Sequence, residues 1–275
     1  MKVVRDPAAT DSSPQERGSV LTIGAFDGVH LGHRAVLRLV RELADARGLR
    51  AVLVTFDRHP AEIVRPESAP KLLTTIEHRL ELLDETGLLD ECVVLTFDEQ
   101  RSTETAEDFV NEVLVGLLDA RLVVVGADFH FGHRRGGNVA LLEQMGADLG
   151  FEVLGLGLVA PQPGSVSYSS TRVRELLAAG EVEAAAEMLG RPHELRGTLS
   201  ASTLCVDERT CLPADGWYAG TLTESGKTER PATVGIGDVT APVSADAAAG
   251  TVVTVKTGAG DGRPASVRLH TRVGG

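Results

Sequence analysis

The chain has 275 residues, 43% of them hydrophobic and 24% charged, which fits a soluble protein of one large domain or two modest ones. Its formal net charge of -12 argues against a broad nucleic-acid-binding face, while leaving room for a local nucleotide site built from converging cations. No apolar run reaches the roughly 18 residues of a membrane span, so no membrane partner is expected.

Residues 1–17 are polar, lack the apolar core of a signal peptide, and read as a disordered tail. Residues 19–24 form a short apolar, β-branched run, the pattern of a buried strand, and 31–48 follow at helical spacing with Gly48 as the stop. Strand patterns recur at 51–56, 92–97, 121–126 and 151–157, and helical patterns at 75–86, 104–119 and 138–149. A polar loop with Pro60, Pro66 and Pro70 follows the second strand. Alternating helices and continuously apolar strands predict an α/β fold with a parallel sheet covered on both faces. Such sheets bind ligands beyond the carboxyl ends of their strands. After residue 195 helical periodicity stops, and strand-like runs at 217–223, 251–256 and 265–271 predict a small antiparallel β domain. Its expected hairpin turns are 224–231 and 257–264. The spacing of Cys92, Cys205 and Cys211 fits neither a zinc site nor a redox pair, which suggests reduced thiols in a cytoplasmic protein.

Four segments carry unusual chemistry. Gly24-Ala25-Phe26-Asp27-Gly28-Val29-His30-Leu31-Gly32-His33 leaves a strand and enters a helix, where free N–H groups and the positive dipole end suit phosphate. His30 and His33, three apart, can share a face and donate to phosphate oxygens. The competing reading is an ordinary strand–helix turn with two surface histidines. No carboxylate or cysteine stands at ligand spacing here, so no protein-held metal is expected. Ser169-Ser170-Thr171-Arg172-Val173-Arg174 opens a helix ending at Gly180, with Ser169 or Ser170 as the cap, and reads either as an anion site or as a capped helix with solvated arginines. Residues 126–137 place Phe129 and Phe131, which could stack on a flat ring or fill the core, beside Asp128. Thr55-Phe56-Asp57-Arg58-His59-Pro60 is a strand end with a rigid turn, weak alone.

Together with APKLLTT at 69–75, these segments resemble the FMN adenylyltransferase module of bacterial bifunctional riboflavin kinase/FAD synthetases, an HxGH nucleotidyltransferase family. The resemblance covers the N-terminal 195 residues. It implies a Rossmann-like doubly wound sheet over 18–192 and a riboflavin-kinase-like β-barrel domain over 193–275. It implies catalytic roles for His30, His33 and Arg174, and nucleotide contacts from Gly24, Ala25, Phe26, Asp27, Gly28, Gly32, Ser169, Ser170 and Thr171. It assigns Phe56, Arg58, His59, Pro60, Gly126, Asp128, Phe129 and Phe131 to the flavin. ATP with Mg²⁺ and FMN would be substrates, and FAD the product.

Three departures stand out. Arg58 stands where the family usually has a proline, and His130 and His133 crowd the acceptor side. Between Leu195-Arg196-Gly197 and Leu212-Pro213-Ala214-Asp215-Gly216, the kinase segment with its Pro-Thr-Ala-Asn core is replaced by TLSASTLCVDERTC. The expectation is therefore an FMN adenylyltransferase without riboflavin kinase activity. The alternatives are a nucleotidyltransferase for a modified flavin or another phosphate, a non-catalytic flavin- or nucleotide-binding protein, and a working bifunctional enzyme.

Overall fold

A computed structural model describes residues 1–7, 18–157, 167–239 and 251–273. The chain divides into two compact units, Met1–Pro70 with Ile76–Tyr168, and Lys71–Thr75 with Ser169–Gly275. The boundary drawn at 192/193 from the sequence lies later than this division.

The first unit runs β1 (Lys2–Arg5), β2 (Ser19–Ile23), α1 (Leu31–Arg47), β3 (Arg50–Phe56), α2 (Ala61–Val64), α3 (Ile76–Glu85), β4 (Glu91–Leu95), α4 (Glu99–Thr103), α5 (Ala106–Phe109), β5 (Ala120–Gly126), β6 (His130–Phe131), β7 (Gly137–Asn138), α6 (Val139–Leu149) and β8 (Glu152–Leu156). The large sheet has the order β1-β4-β3-β2-β5-β8, and every pairing in it is parallel. Successive residues of its central strands face opposite clusters. Val20, Leu53, Leu122 and Val124 join Leu37, Val40 and Leu83 on one face; Leu21, Val54, Val123 and Val125 join Phe109, Leu114 and Leu142 on the other. Burial on both faces explains the unbroken apolar runs. Because α1 carries the chain from β2 to β3 on one side while β5 lies on the other, the strand order reverses between β2 and β5. The crevice at such a reversal is where open α/β sheets bind ligands.

Two local expectations need correction. Residues 2–5, placed in a loose tail, form an edge strand with Val3 opposite Cys92, and Lys2 and Arg5 supply the charge that suits an exposed edge. The remainder of that segment, 8–17, lies outside the described residues. The helix expected over 104–119 forms as α5 continued directly by a π-helical stretch Val110–Leu117, so its second half departs from α geometry, and α4 precedes it. Asp98 caps α4 and Thr105 caps α5, which keeps α4 a separate short helix.

The second unit contains α7 (Ser170–Ala179), α8 (Val182–Leu189), β9 (His193–Ser200), β10 (Thr203–Val206), β11 (Gly216–Glu224), β12 (Arg230–Ile236), β13 (Thr251–Thr257) and β14 (Arg263–Val273). Its six strands close into a barrel in the order β10-β13-β12-β11-β14-β9. The expected turn at 224–231 joins the antiparallel pair β11 and β12. The segment 257–264 is not a hairpin: β13 pairs in parallel with β10 and β12, and β14 pairs with β9 and β11. Barrel closure, absent from any local pattern, selects these partners. The interior is packed by Leu195, Leu204, Tyr218, Val234, Val253 and Val267, and Val173, Leu177, Val182 and Leu189 of α7 and α8 belong to the same cluster.

Candidate active site

The loop after β2 is wound tightly by necessity. Phe26 (φ 49), Gly28 (φ 81) and Val29 (φ 40) all take left-handed backbone. For a β-branched residue such as Val29 that conformation is strained by roughly 1–3 kcal/mol, a cost that clusters at functional sites. The turn closes with the Val29 N–H donating to the Phe26 carbonyl at 3.1 Å. It delivers His30 to the N-cap of α1, where His30 Nδ1 accepts from the His33 N–H at 3.3 Å. The acceptor role of Nδ1 puts the proton of the neutral ring on Nε2. His30 is 4% exposed and therefore is not a surface histidine. Its ring stacks on that of His33 with centroids 3.6 Å apart, and His33 stacks in turn on Phe26 at 4.5 Å. Three rings in a pile fix two imidazoles at the positive end of a 17-residue helix. Gly32 makes the pile possible, since a Cβ there would lie 3.1 Å from His30 Cε1 and 2.9 Å from Tyr168 Cβ.

The loop after β3 is tied to this one. Thr55 Oγ1 donates to the Ala25 carbonyl at 3.3 Å. Arg79 of α3 donates from Nη1 to the same carbonyl and from Nη2 to the Phe56 carbonyl at 2.9 Å. Arg79 is 5% exposed. Its burial lowers its pKa, while the negative charge of Asp27 works in the opposite direction. Its removal would take a donor from two carbonyls, at about 1–3 kcal/mol for an acceptor left buried and unsatisfied, so Arg79 is a principal fastener of the two loops. Sequence reasoning missed it. The signal was present: Arg79 falls three residues after Ile76 and four before Leu83, on the buried face of α3.

In the β3 loop, Asp57 accepts from the Phe97 N–H at 2.9 Å and from Arg58 Nε and Nη2 at 3.1 and 3.0 Å. Burial opposes the Asp57 charge, but the Phe97 amide and the Arg58 guanidinium outweigh it and hold the carboxyl below its usual range. Arg58, the residue standing in place of a proline, is thus engaged by its own neighbour. His59 lies just before α2: its Nδ1 accepts from the Ala61 N–H at 3.1 Å, and its N–H donates to Glu62 Oε1 at 2.9 Å. Pro60 precedes the first turn of α2. Phe56 meets Phe97 edge-on, with centroids 5.3 Å apart.

After β5, Gly126 accepts from the Phe129 N–H at 2.9 Å, and β6 pairs with β7 as a small hairpin. Phe129 and Phe131 stack at 5.4 Å, half-buried against the core cluster of that face. Asp128 is exposed. His130 Nδ1 lies 2.7 Å from the Asp128 carbonyl and 3.1 Å from Arg135 Nη2. His133 Nδ1 lies 3.1 Å from the Ser102 carbonyl, which directs it to α4. The β2 and β5 loops leave the two strands that flank the reversal of strand order.

In the second unit, Ser169 caps α7, its Oγ accepting from the Arg172 N–H at 3.1 Å, and Ser170 and Thr171 form the first turn. Arg172 pairs with Glu175 at 3.0 Å, and Arg174 Nε donates to the Lys71 carbonyl at 2.6 Å. The helix start is thus a capped N-terminus of the kind that accepts anions.

A parallel sheet with a strained, glycine-bearing loop and a histidine-capped helix at its switch point defines an α/β nucleotide-binding protein. Residues 12–172 match the family model described as FAD synthetase. The chain is 34% identical over 248 residues to the bifunctional riboflavin kinase/FMN adenylyltransferase of Escherichia coli (strain K12), covering 86% of this chain and 78% of that one. It is 37% identical over 184 residues to the protein of the same name from Pseudomonas fluorescens, covering 67% and 58%. A crystal structure titled as a macrolide-efflux protein from Streptococcus pneumoniae superposes with a TM-score of 0.76 at 24% identity, covering 99% of this chain and 91% of that chain, a likeness of fold alone. This chain belongs to the FAD synthetase family. Among the described residues no helix is long and apolar enough to cross a membrane.

Proposed function

We propose that this chain transfers AMP from ATP to FMN, forming FAD and pyrophosphate, and does not phosphorylate riboflavin. The observation that carries the reading is the stack of buried His30 on half-buried His33 at the start of α1, at the switch point of a FAD synthetase fold. A phosphate oxygen of FMN attacks the α-phosphorus of ATP in line, a new P–O bond forms, and the bond to the bridging oxygen breaks as pyrophosphate leaves. An ionised phosphate needs no general base, so rate comes from positioning and charge neutralisation. His30 and His33 donate to triphosphate oxygens whose charge rises. Gly24, Ala25, Phe26, Asp27, Gly28 and Gly32 shape their loop, and Ser169, Ser170, Thr171 and Arg174 are assigned to the triphosphate on the family resemblance. Phe56, Arg58, His59, Pro60, Gly126, Asp128, Phe129 and Phe131 are assigned to the flavin. The pairing of Arg58 with Asp57 supports FMN, because the substituted arginine adds no uncompensated charge to the acceptor loop.

Mg²⁺ would enter with ATP as part of the substrate. This ion is held chiefly by phosphate and water oxygens with one or two carboxylates. Cys92, Cys205 and Cys211 are thiols rather than disulfides, in keeping with the proposed cytoplasmic setting. Burial pushes the Cys92 thiol up to about 12, too high for reactivity.

The test is incubation with Mg²⁺, ATP and either FMN or riboflavin, followed by separation of the flavins. FAD from FMN with riboflavin untouched is expected. FMN appearing from riboflavin overturns the loss of the kinase, and failure to convert FMN overturns the acceptor.

A further inference from the structure

The loop between β10 and β11 occupies the place where the family resemblance would put a phosphate-binding kinase segment, and its contacts lie within the second unit. Asp207 builds a tight turn there. Its carboxylate accepts from the Arg209 N–H at 2.8 Å and from Arg209 Nε and Nη2 at 3.0 and 2.8 Å, while the Thr210 N–H donates to the Asp207 carbonyl at 2.9 Å. The Arg209 guanidinium holds Asp207 below the usual carboxylate range, so the turn keeps its ion pair at neutral pH.

The turn grips the segment Lys71–Thr75. The Leu72 N–H donates to the Arg209 carbonyl at 2.7 Å, and the Cys211 N–H donates to the Leu72 carbonyl at 2.8 Å. Leu72 thereby forms a one-residue parallel bridge with Thr210. Lys71 Nζ donates to the Glu208 carbonyl at 2.8 Å, and Leu73 is buried in the barrel cluster. On the far side, buried His193 donates from Nε2 to the Cys211 carbonyl at 3.1 Å, anchoring the turn to β9. The segment so held presents the Lys71 carbonyl to Arg174 Nε at 2.6 Å.

We infer that the 207–211 turn is a positioning device for Arg174: through Lys71 it sets the plane of the guanidinium that adenylyl transfer uses. The inference rests on the role proposed above for Arg174. A free arginine side chain samples many rotamers, and a fixed carbonyl on Nε removes much of that freedom before substrate arrives. Preorganised donors accelerate transfer because no reorganisation is needed at the moment of reaction. The barrel then keeps a function without kinase chemistry, as the frame of this clasp.

A double-mutant cycle in the full-length protein tests it, with FAD formation from Mg²⁺–ATP and FMN as the readout. Asp207→Ala opens the turn without touching Lys71 or Arg174, and is expected to lower kcat about 3- to 10-fold with the KM for FMN unchanged. Arg174→Ala lowers kcat further, and the double variant is expected to match Arg174→Ala alone. A purely structural turn would lower the melting temperature and leave kcat intact, or give effects that multiply; either outcome overturns the inference. Full activity in Arg174→Ala overturns the role of Arg174 itself, and the inference with it. If Asp207→Ala does not fold, Asp207→Asn keeps the acceptor for the Arg209 N–H, loses only the ion pair, and carries the same cycle.

Discussion

Gly32→Ala separates a positioned histidine pair from a helix start that merely contains one. On propensity alone, alanine inside a helix is better than glycine by about 1 kcal/mol, so an ordinary α1 would gain stability. The structure reverses the sign. The new Cβ would stand 2.9 Å from Tyr168 Cβ and 3.1 Å from both Cε1 and Nδ1 of His30. A Cβ cannot swing away as the tip of a long side chain can, and the His30 ring is held between the cap bond and the His33 stack. Overpacking of this kind costs about 1–3 kcal/mol. The net change is a destabilisation of about 0–2 kcal/mol, or a few degrees in Tm for a chain of this size. The larger effect falls on the reaction. His30 must move by a few tenths of an ångström, and a 1 Å displacement of a catalytic group costs about a hundredfold, so kcat is expected to fall about 10-fold. Steady-state FAD formation and thermal unfolding of the same preparation measure both numbers. An unchanged kcat with a raised Tm would refute the reasoning, since it would mean that the close approach of Gly32 to His30 does no positioning.

The two histidines are expected to differ when each is replaced by alanine. His33→Ala lowers kcat about 10²- to 10³-fold through one lost donor. His30→Ala lowers kcat similarly and also removes the cap of α1, costing about a further 1 kcal/mol of stability. Chemical denaturation of both variants checks the difference, and equal stabilities would deny His30 its capping role. Asp57→Asn probes the tie between the β3 loop and Arg58. The folded-state pKa of Asp57 is lowered, so its contribution is complete above the unfolded value of about 3.9 and is lost as pH falls through the lower folded value. The Tm difference between wild type and Asp57→Asn is therefore expected to be constant from about pH 5 to 8 and to shrink on acidification below about 4. A difference that widened in acid would contradict the sign.

Much of the first unit was legible because a strand buried on both faces needs apolar residues at every position. SVLTI and ECVVL therefore declare themselves without alternation. The edge strand KVVR did not, because its charged ends suit one side open to solvent. The site was legible as residue types, since glycines, a histidine pair and a hydroxyl-rich helix start have few other uses together. Its mechanics were not. That His30 is a buried cap, that Arg79 fastens two loops, and that Arg58 turns to Asp57 are facts about partners, and no local pattern names a partner.

By itself the sequence determined the secondary-structure alphabet, the succession of strand and helix in the sheet domain, and the family to which the motifs belong. The first two depend on local periodicity and backbone preference, which act within a few residues, and the last on the resemblance of the motifs. Only the tertiary structure decided that β13 runs parallel to both its neighbours, and that the Asp207 turn holds Leu72 by a bridge to the distant Thr210. It also decided that Lys71 reaches Arg174. The free energy of those pairings comes from burial and hydrogen bonding between segments far apart in the chain, and it exists only once both partners are in place.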